Sequence, residues 1–221
     1  LNRGFQSFKQ PGSSIKPLVI YTPALEEGYD ANSTLTEIDV KAAKKSTSEK
    51  ISKMSGQKMS LRYAVEDSKN GCAYSLYNII TPKVGLSYIE NMNFSKIVQQ
   101  DYTLSSGLGG LHHGTNTVEM ANAYSTLENH GEYRQADCIS SILDASGNEI
   151  YEEPESKTVY TRSASDQMTD ILEGVLNSSA GTAKGLKWSS ASDVAAAAKT
   201  GTTNDNNVAW FCGYTPYYTI S

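Results

Sequence analysis

The stretch Pro11-Gly12-Ser13-Ser14-Ile15-Lys16-Pro17 decides how the rest of the chain is read. It sets a serine hydroxyl at 13 and a lysine amine at 16 where a helix is expected to begin, and residues at i and i+3 share a helix face and can touch. A serine is a weak nucleophile until a neighbouring base takes its proton, and Lys16 is the base that the local sequence offers. Pro17 costs little in a first turn, because early helical N–H groups have no internal partner. Leu18, Val19, Ile20, Tyr21 and Leu25 follow, apolar enough to bury. The expectation is a reactive serine at the start of a core helix that runs to about Glu27 and stops at Gly28. The signal is weak alone. S-x-x-K recurs at Ser55–Lys58 in a polar stretch, and a capping serine beside a solvated lysine has the same spacing.

Bulk properties narrow the class. The chain has 221 residues, formal charge −5, 38% hydrophobic and 19% charged residues, which suits one globular domain, or one and a half, with a core of its own. Mild acidity argues against nucleic acid as a partner, since phosphate binding needs a basic surface. No apolar run is long enough for a membrane span, and no signal peptide is visible; any anchor of the parent protein is expected to lie outside this chain. Cys72, Cys138 and Cys212 are odd in number and widely spaced, which suits neither a disulfide framework nor a zinc site. They are expected to be small buried residues. His112, His113 and His130 are scattered and make no metal site, so neither metal nor cofactor is expected.

Along the chain, residues 30–58 are rich in Ser, Thr and Lys and read as an irregular surface excursion, with a short strand at Thr36–Val40. Ser60 is expected to cap a helix from Leu61 to about Asp67. Ser68-Lys69-Asn70-Gly71 reads as a tight turn, followed by a helix over Cys72–Val84 disturbed by Pro82, and a short helix over Leu86–Met92. Ser105–Gly114 is a glycine-rich loop. Thr117 is placed as the cap of a helix ending near Gly131. Ile139–Asp144 and Glu149–Glu153 flank a turn and read as a hairpin. Ser163 opens a helix whose Met168, Ile171, Leu172, Val175 and Leu176 form a core-facing stripe. Val194–Thr200, Val208–Thr215 and the residues from Tyr217 onward read as successive antiparallel strands.

Two later motifs raise the value of the first. Lys199-Thr200-Gly201-Thr202 follows a run of valine and alanines, Val194–Ala198. Small alanines let a strand approach another backbone closely, and Gly201, without a Cβ, lets a ligand lie against the strand. Lys199 supplies a positive charge, and Thr200 and Thr202 supply hydroxyls; together they suit an extended peptide ending in a carboxylate. An edge strand with a solvated lysine is the bland alternative. Ser68-x-Asn70 is the third signal, also weak alone because S-x-N recurs at Ser146–Asn148.

The three together, in this order and setting, resemble the signature shared by penicillin-binding proteins and class A β-lactamases. Gln10–Pro17 resembles the nucleophile segment of class A (bifunctional) high-molecular-weight penicillin-binding proteins. Lys199–Asn204 and Ala209–Pro216 resemble that family's K-T-G strand and the strand after it. Leu108-Gly109-Gly110, and Thr117 through Ala123-Tyr124-Ser125, match its mid-domain landmarks. One departure is Val208, where the family commonly has an acidic residue.

The resemblance implies an α+β fold of the penicillin-binding-protein/β-lactamase type: an antiparallel sheet with helices packed on it and an all-helical subdomain. It also implies that residues 1–221 are a partial transpeptidase domain, lacking strands at both ends, the glycosyltransferase domain and the membrane anchor. Its implied roles are Ser13 as acylated nucleophile with Ser14 a bystander, Lys16 as base, Ser68 as proton relay, and Asn70 holding the substrate amide. Lys199 would steady the charge, and Thr200 and Thr202 would bind the terminal carboxylate beside Gly201. Backbone N–H groups of Ser13 and Thr202 would form the oxyanion hole. The implied partners are peptidoglycan stem peptides, as donor and acceptor, and β-lactams, on the outer face of a bacterial cytoplasmic membrane.

Three rivals stay open. A D,D-carboxypeptidase hands the acyl group to water. A non-catalytic β-lactam sensor or wall-binding module acylates without turnover. A β-lactamase would use Glu173, because Glu173-Gly174-Val175-Leu176-Asn177 fits its E-x-x-L-N motif. Glu173 is expected to sit solvated beside the apolar stripe of a helix, 26 residues before Lys199 and too close to that strand for the usual loop.

Overall fold

The structure, a computed structural model, describes residues 2–186, 194–203 and 207–221; Asn204, part of the K-T-G resemblance, lies outside them. Its helices are α1 Arg3–Gln6, α2 Thr22–Glu26, α3 Val40–Ala43, α4 Ser48–Ser52, α5 Leu61–Glu66, α6 Asn70–Ile80, α7 Pro82–Asn91, α8 Thr117–Glu128 and α9 Arg162–Asn177. Its strands are β1 Thr34–Glu37, β2 Gln57–Ser60, β3 Glu132–Tyr133, β4 Lys157–Thr158, β5 Ala197–Thr202, β6 Ala209–Tyr214 and β7 Thr219–Ile220. Strands β5, β6 and β7 form an antiparallel sheet in that order, with Lys199 opposite Cys212 and Gly201 opposite Trp210. Helix α9 packs on β5, and α8 packs on β6 and β7. A second layer of α2, α5, α6 and α7 carries the antiparallel ribbon β1–β2 at its side. Among the described residues no helix is long and apolar enough to cross a membrane.

The stretch 11–26, in which sequence places the nucleophile, sits between these halves, and it is not one regular helix. Gly12–Ile15 is a 3-10 turn, Pro17–Tyr21 is a π-helical turn, and only Thr22–Glu26 is α-helical. Prolines at 17 and 23 explain the change of pitch, because neither can donate an N–H. Thr22 N donates to Pro17 O, one residue further back than in an α-helix. Pro23 has nothing to give Leu18 O, and the Tyr160 hydroxyl donates to it instead at 2.6 Å. Ile15 and Leu18 through Tyr21 are fully buried.

The stripe expected on α9 is present: Met168, Ile171, Leu172 and Val175 are fully buried and Leu176 nearly so, each contributing about 1.5–3 kcal/mol by leaving water. That helix opens one residue earlier than expected, with Thr161 as its cap. Ser60 caps α5 by accepting from Tyr63 N, as expected. In α8 the cap is Asn116 rather than Thr117, and Glu119 closes a capping box with it.

Other expectations are corrected. The break after the 68–71 turn lies at Thr81, whose φ is +75°, and Pro82 opens the next helix instead of disturbing one; proline fits a first helical position. The strand placed at Thr36–Val40 is Thr34–Glu37, and Val40 begins α3 because Asp39 caps it. The hairpin placed at 139–153 is an exposed arm with a single bridge, Leu143 to Glu149. The paired strands of that region are β3 and β4 at its base. Cys138 lies on this arm and is exposed, whereas Cys72 and Cys212 are buried; all three thiols are free.

Candidate active site

The glycines at 12, 109 and 201 determine how closely the chain meets itself here. A Cβ on Gly109 would fall 2.3 Å from the backbone of Gly12, and its φ is +88°. A Cβ on Gly201 would fall 2.4 Å from Pro11 O and 2.8 Å from Ser14 N. The bare strand at 201 therefore admits the 11–14 turn: β5 and that turn press together. Gly12 abuts the backbone of Thr202 in the same way.

Side chains from three distant segments converge at this seam. Lys16 Nζ donates to Asn70 Oδ1 at 2.8 Å, to Ser68 O at 2.8 Å and to Ser68 Oγ at 3.4 Å. Lys199 Nζ donates to the same Ser68 Oγ at 2.8 Å and to Thr200 O at 3.1 Å. One hydroxyl thus sits between two lysines, 131 residues from one and 52 from the other in sequence. Ser68 is held there with φ at +56°, in the left-handed region that non-glycine residues rarely adopt. Such strain concentrates at functional sites and persists only where the surroundings enforce it.

Both lysines are fully buried. Burial pushes the Lys199 amine down to about 7. Burial also holds Lys16 well below its ordinary value, and the Lys199 charge lowers it further. Both shifts run in the direction that a general base requires. The nearby thiols are inert: burial pushes Cys72 and Cys212 each up to about 12.

Ser13 and Ser14 differ sharply. Ser14 is fully buried, and its hydroxyl donates to Pro11 O at 2.7 Å. Ser13 is half-buried and lines a cleft of about 440 Å³ together with Gly12, Asn70, Ser105, Gly109 and Thr202. Thr202 is exposed in that cleft, while the Thr200 hydroxyl pairs with Thr182 at 2.6 Å. Of the sequence-selected residues, Ser13, Asn70 and Thr202 line the cleft, Lys16, Ser68 and Lys199 lie behind them in one hydrogen-bonded set, and Thr200 and Gly201 flank it. The duplicate motifs lie elsewhere: Ser55 and Lys58 are exposed at the entry to β2, and Asn148 bonds Asp144 in the arm. Glu173 is half-buried in a separate pocket of about 220 Å³ with Glu128, His130 and Tyr214.

Several contributors had no role assigned from sequence, although Tyr124 and Trp210 fall in stretches that carry the resemblance. Tyr124 Oη donates to Ser14 O at 2.7 Å, and Trp210 Nε1 to Gln10 O at 3.0 Å, so α8 and β6 pin the nucleophile segment from two sides. Val40 and Lys41 of α3 and Lys44 just after it line the cleft, although 30–58 reads as a mere excursion. The alternation of charge and serine in that stretch hides which residues turn inward.

Residues 1–219 match the family described as penicillin binding protein transpeptidase domain. The chain is 30% identical over 220 residues to penicillin-binding protein 4 of Bacillus subtilis, covering 99% of this chain and 34% of that protein. It is 33% identical over 234 residues to penicillin-binding protein 2a of Streptococcus pneumoniae, covering 100% of this chain and 30% of that one. The chain thus spans about a third of the length of these relatives. In fold it is similar to PonA1 of Mycobacterium tuberculosis in complex with penicillin V, with a TM-score of 0.73, 20% identity, and coverage of 97% of this chain and 59% of that one. The D,D-transpeptidase domain of a peptidoglycan glycosyltransferase from Eggerthella lenta gives a TM-score of 0.71 at 19% identity over 98% of this chain and 59% of that one. With an α+β fold, two buried lysines hydrogen-bonded to one serine behind a cleft, and a family match over nearly its full length, this chain belongs to the transpeptidase domains of penicillin-binding proteins.

Proposed function

We propose that the chain is the acylating unit of a serine D,D-transpeptidase, which takes D-Ala-D-Ala stem peptides as donors and joins them to acceptor amines in peptidoglycan. The observation that carries this reading is the Ser68 hydroxyl bonded to both Lys16 and Lys199 behind cleft-lining Ser13. Lys16 takes the Ser13 proton as Oγ attacks the carbonyl carbon of the penultimate residue. Oxyanion charge is met by the backbone N–H groups of Ser13 and Thr202, a contribution of about 3–4 kcal/mol per donor in well-studied cases. The C–N bond then breaks, and the proton reaches the departing amine through Ser68. The released D-alanine leaves an ester on Ser13, which an acceptor amine attacks with Lys16 again moving the proton. Asn70 holds the donor amide, and Thr202, Thr200 and Lys199 receive its terminal carboxylate. The parent protein would work on the outer face of the bacterial cytoplasmic membrane.

A β-lactam enters the same sequence and stops in it, because its leaving amine stays tethered and blocks the acceptor. Hydrolysis would need a base aimed at water, and Glu173 lies in another pocket. Intact-mass spectrometry after penicillin treatment tests the reading. The parent protein should gain one adduct, on Ser13, that lasts minutes to hours; Ser13→Ala should gain none, and Glu173→Gln should leave the lifetime unchanged. An adduct on Ser14 or Ser55, or one lost rapidly and retained longer in Glu173→Gln, would overturn it.

A further inference from the structure

Helix α6 begins at Asn70, two residues after strained Ser68, so whatever fixes its first turn bears on both residues. Its cap position, Lys69, makes no side-chain hydrogen bond to the helix. The donors left open by a helix start need partners, and they find them 34 and 35 residues earlier. Glu37, the last residue of β1, accepts from Gly71 N through Oε1 at 3.2 Å and from Cys72 N through Oε2 at 2.9 Å. The contact is built from both sides. A Cβ on Gly71 would fall 2.2 Å from Ile38 O and 3.0 Å from Glu37 Cδ, so only glycine admits the end of the strand here. One turn on, the Ser75 hydroxyl donates to Thr36 O at 3.0 Å.

We propose that Glu37 is a positioning residue for the acylation site: its carboxylate clamps the first turn of α6 and thereby holds the Ser68 hydroxyl against the two lysines and the Asn70 amide against Lys16. This rests on the reading of Ser13, Lys16 and Ser68 given above. The ribbon β1–β2 is then a brace for the catalytic turn. The clamp is charged as well as rigid. Lys16 is faced by the Lys199 charge from β5, by the Glu37 charge from β1, by the neutral Cys72 thiol from α6, and by Ser68 and Asn70. Glu37 in turn is faced by Lys16, Lys69, Cys72 and Tyr21. Its negative charge opposes the lowering of Lys16 by burial and by Lys199.

Two substitutions separate reach from charge. Glu37→Gln keeps the length but offers one acceptor oxygen and no charge. The second-order rate of penicillin acylation should fall about 10–100-fold, as expected for displaced reacting groups, and the acid limb of its pH profile should move to lower pH because Lys16 loses a neighbouring anion. Glu37→Asp keeps the charge but shortens the reach, so the rate should fall while the limb stays in place. Thr161→Ala, which removes the α9 cap, serves as a control of comparable stability cost and should leave both unchanged. Amide hydrogen exchange at Gly71 and Cys72 gives a readout that does not depend on Ser13: protection at these two should drop selectively in Glu37→Gln. Unchanged protection would overturn the clamp whatever the role of Ser13. Loss of protection without a change in rate or limb would make Glu37 a structural cap only. A parent protein unlabelled at Ser13 would overturn both the transpeptidase reading and the role given to Glu37.

Discussion

Replacing Lys199 with methionine tests the electrostatics of the site most directly, because the side chain keeps its approximate length and loses only its charge and donors. The two amines each bond Ser68 Oγ, one at 3.4 Å and the other at 2.8 Å, so they are at most 6.2 Å apart. Two unit charges at that separation repel by about 2.7 kcal/mol at an effective dielectric of about 20, roughly a hundredfold in the proton affinity of the lysine that titrates second. Salt screens such a buried pair little. In the parent protein this repulsion adds to burial in lowering the proton affinity of Lys16. In Lys199→Met the repulsion is gone while the burial stays. Lys16 then holds its proton to higher pH, and the acid limb of penicillin acylation should move toward alkaline pH by a large fraction of that factor. The plateau rate should also fall, since Ser68 Oγ loses its shorter donor. The measurement is the second-order acylation rate from pH 5 to pH 10, followed by intact mass. A limb that stays in place, or that moves toward acid, would refute the claim that Lys199 sets the state of Lys16.

The same burial makes folding stability depend on pH. Lys199 titrates at about 7 in the native chain against 10.5 ordinarily; between those values the unfolded chain binds a proton that the native chain lacks, so stability rises with pH. Urea unfolding should show a gain from pH 7 toward pH 10, with a flatter curve in Lys199→Met. Tyr124→Phe removes the buried hydrogen bond to Ser14 O, and should cost about 0.5–1.5 kcal/mol by urea unfolding. Gly109→Ala places a Cβ 2.3 Å from Gly12 at a left-handed φ, and penicillin labelling of Ser13 should be lost even where circular dichroism shows a folded chain. Lys41 and Lys44 are exposed at the cleft; reversing both to glutamate should slow acylation by anionic β-lactams several-fold at low salt, with the difference vanishing near 1 M salt.

The legible parts of the fold are those where one local rule acts alone. The α9 stripe is visible because five apolar residues recur at helical spacing and all of them face one layer. The Ser60 cap is visible because a hydroxyl at that position has one good use. The misreadings come from competition between local rules. At 72–92 the sequence offers a helical pattern and one proline. Whether Pro82 interrupts a helix or starts one depends on Thr81 adopting a positive φ, which a threonine does not announce. At 139–153 alternating apolar residues fit a strand pattern, but strands need a partner surface, and Ile139, Ile142, Leu143 and Ile150 remain exposed on an arm with a single bridge.

The site divides along a different line. Residues that must have one side-chain chemistry, such as Ser13, Lys16, Ser68, Asn70 and Lys199, stand out because their motifs recur in a fixed order. Residues that act by reach show no role in sequence, even where, as with Tyr124 and Trp210, they fall in stretches that carry the resemblance. Tyr124, Trp210 and Tyr160 each place one donor on the nucleophile segment from more than 100 residues away, and many side chains of similar length would look the same in sequence. Glu37 is the sharpest case. A glutamate at the end of a short strand reads as surface charge, and only the folded chain brings it to Gly71 and Cys72. The one local trace of it is Gly71, a glycine in the first turn of a helix where alanine would be favoured by about 1 kcal/mol. A residue that costs a helix that much must admit something that a side chain would exclude, and what it admits is the backbone and carboxylate of β1. Glycines that contradict their own secondary structure, at 71 in a helix and at 201 in a strand, therefore mark the places where distant segments assemble this site.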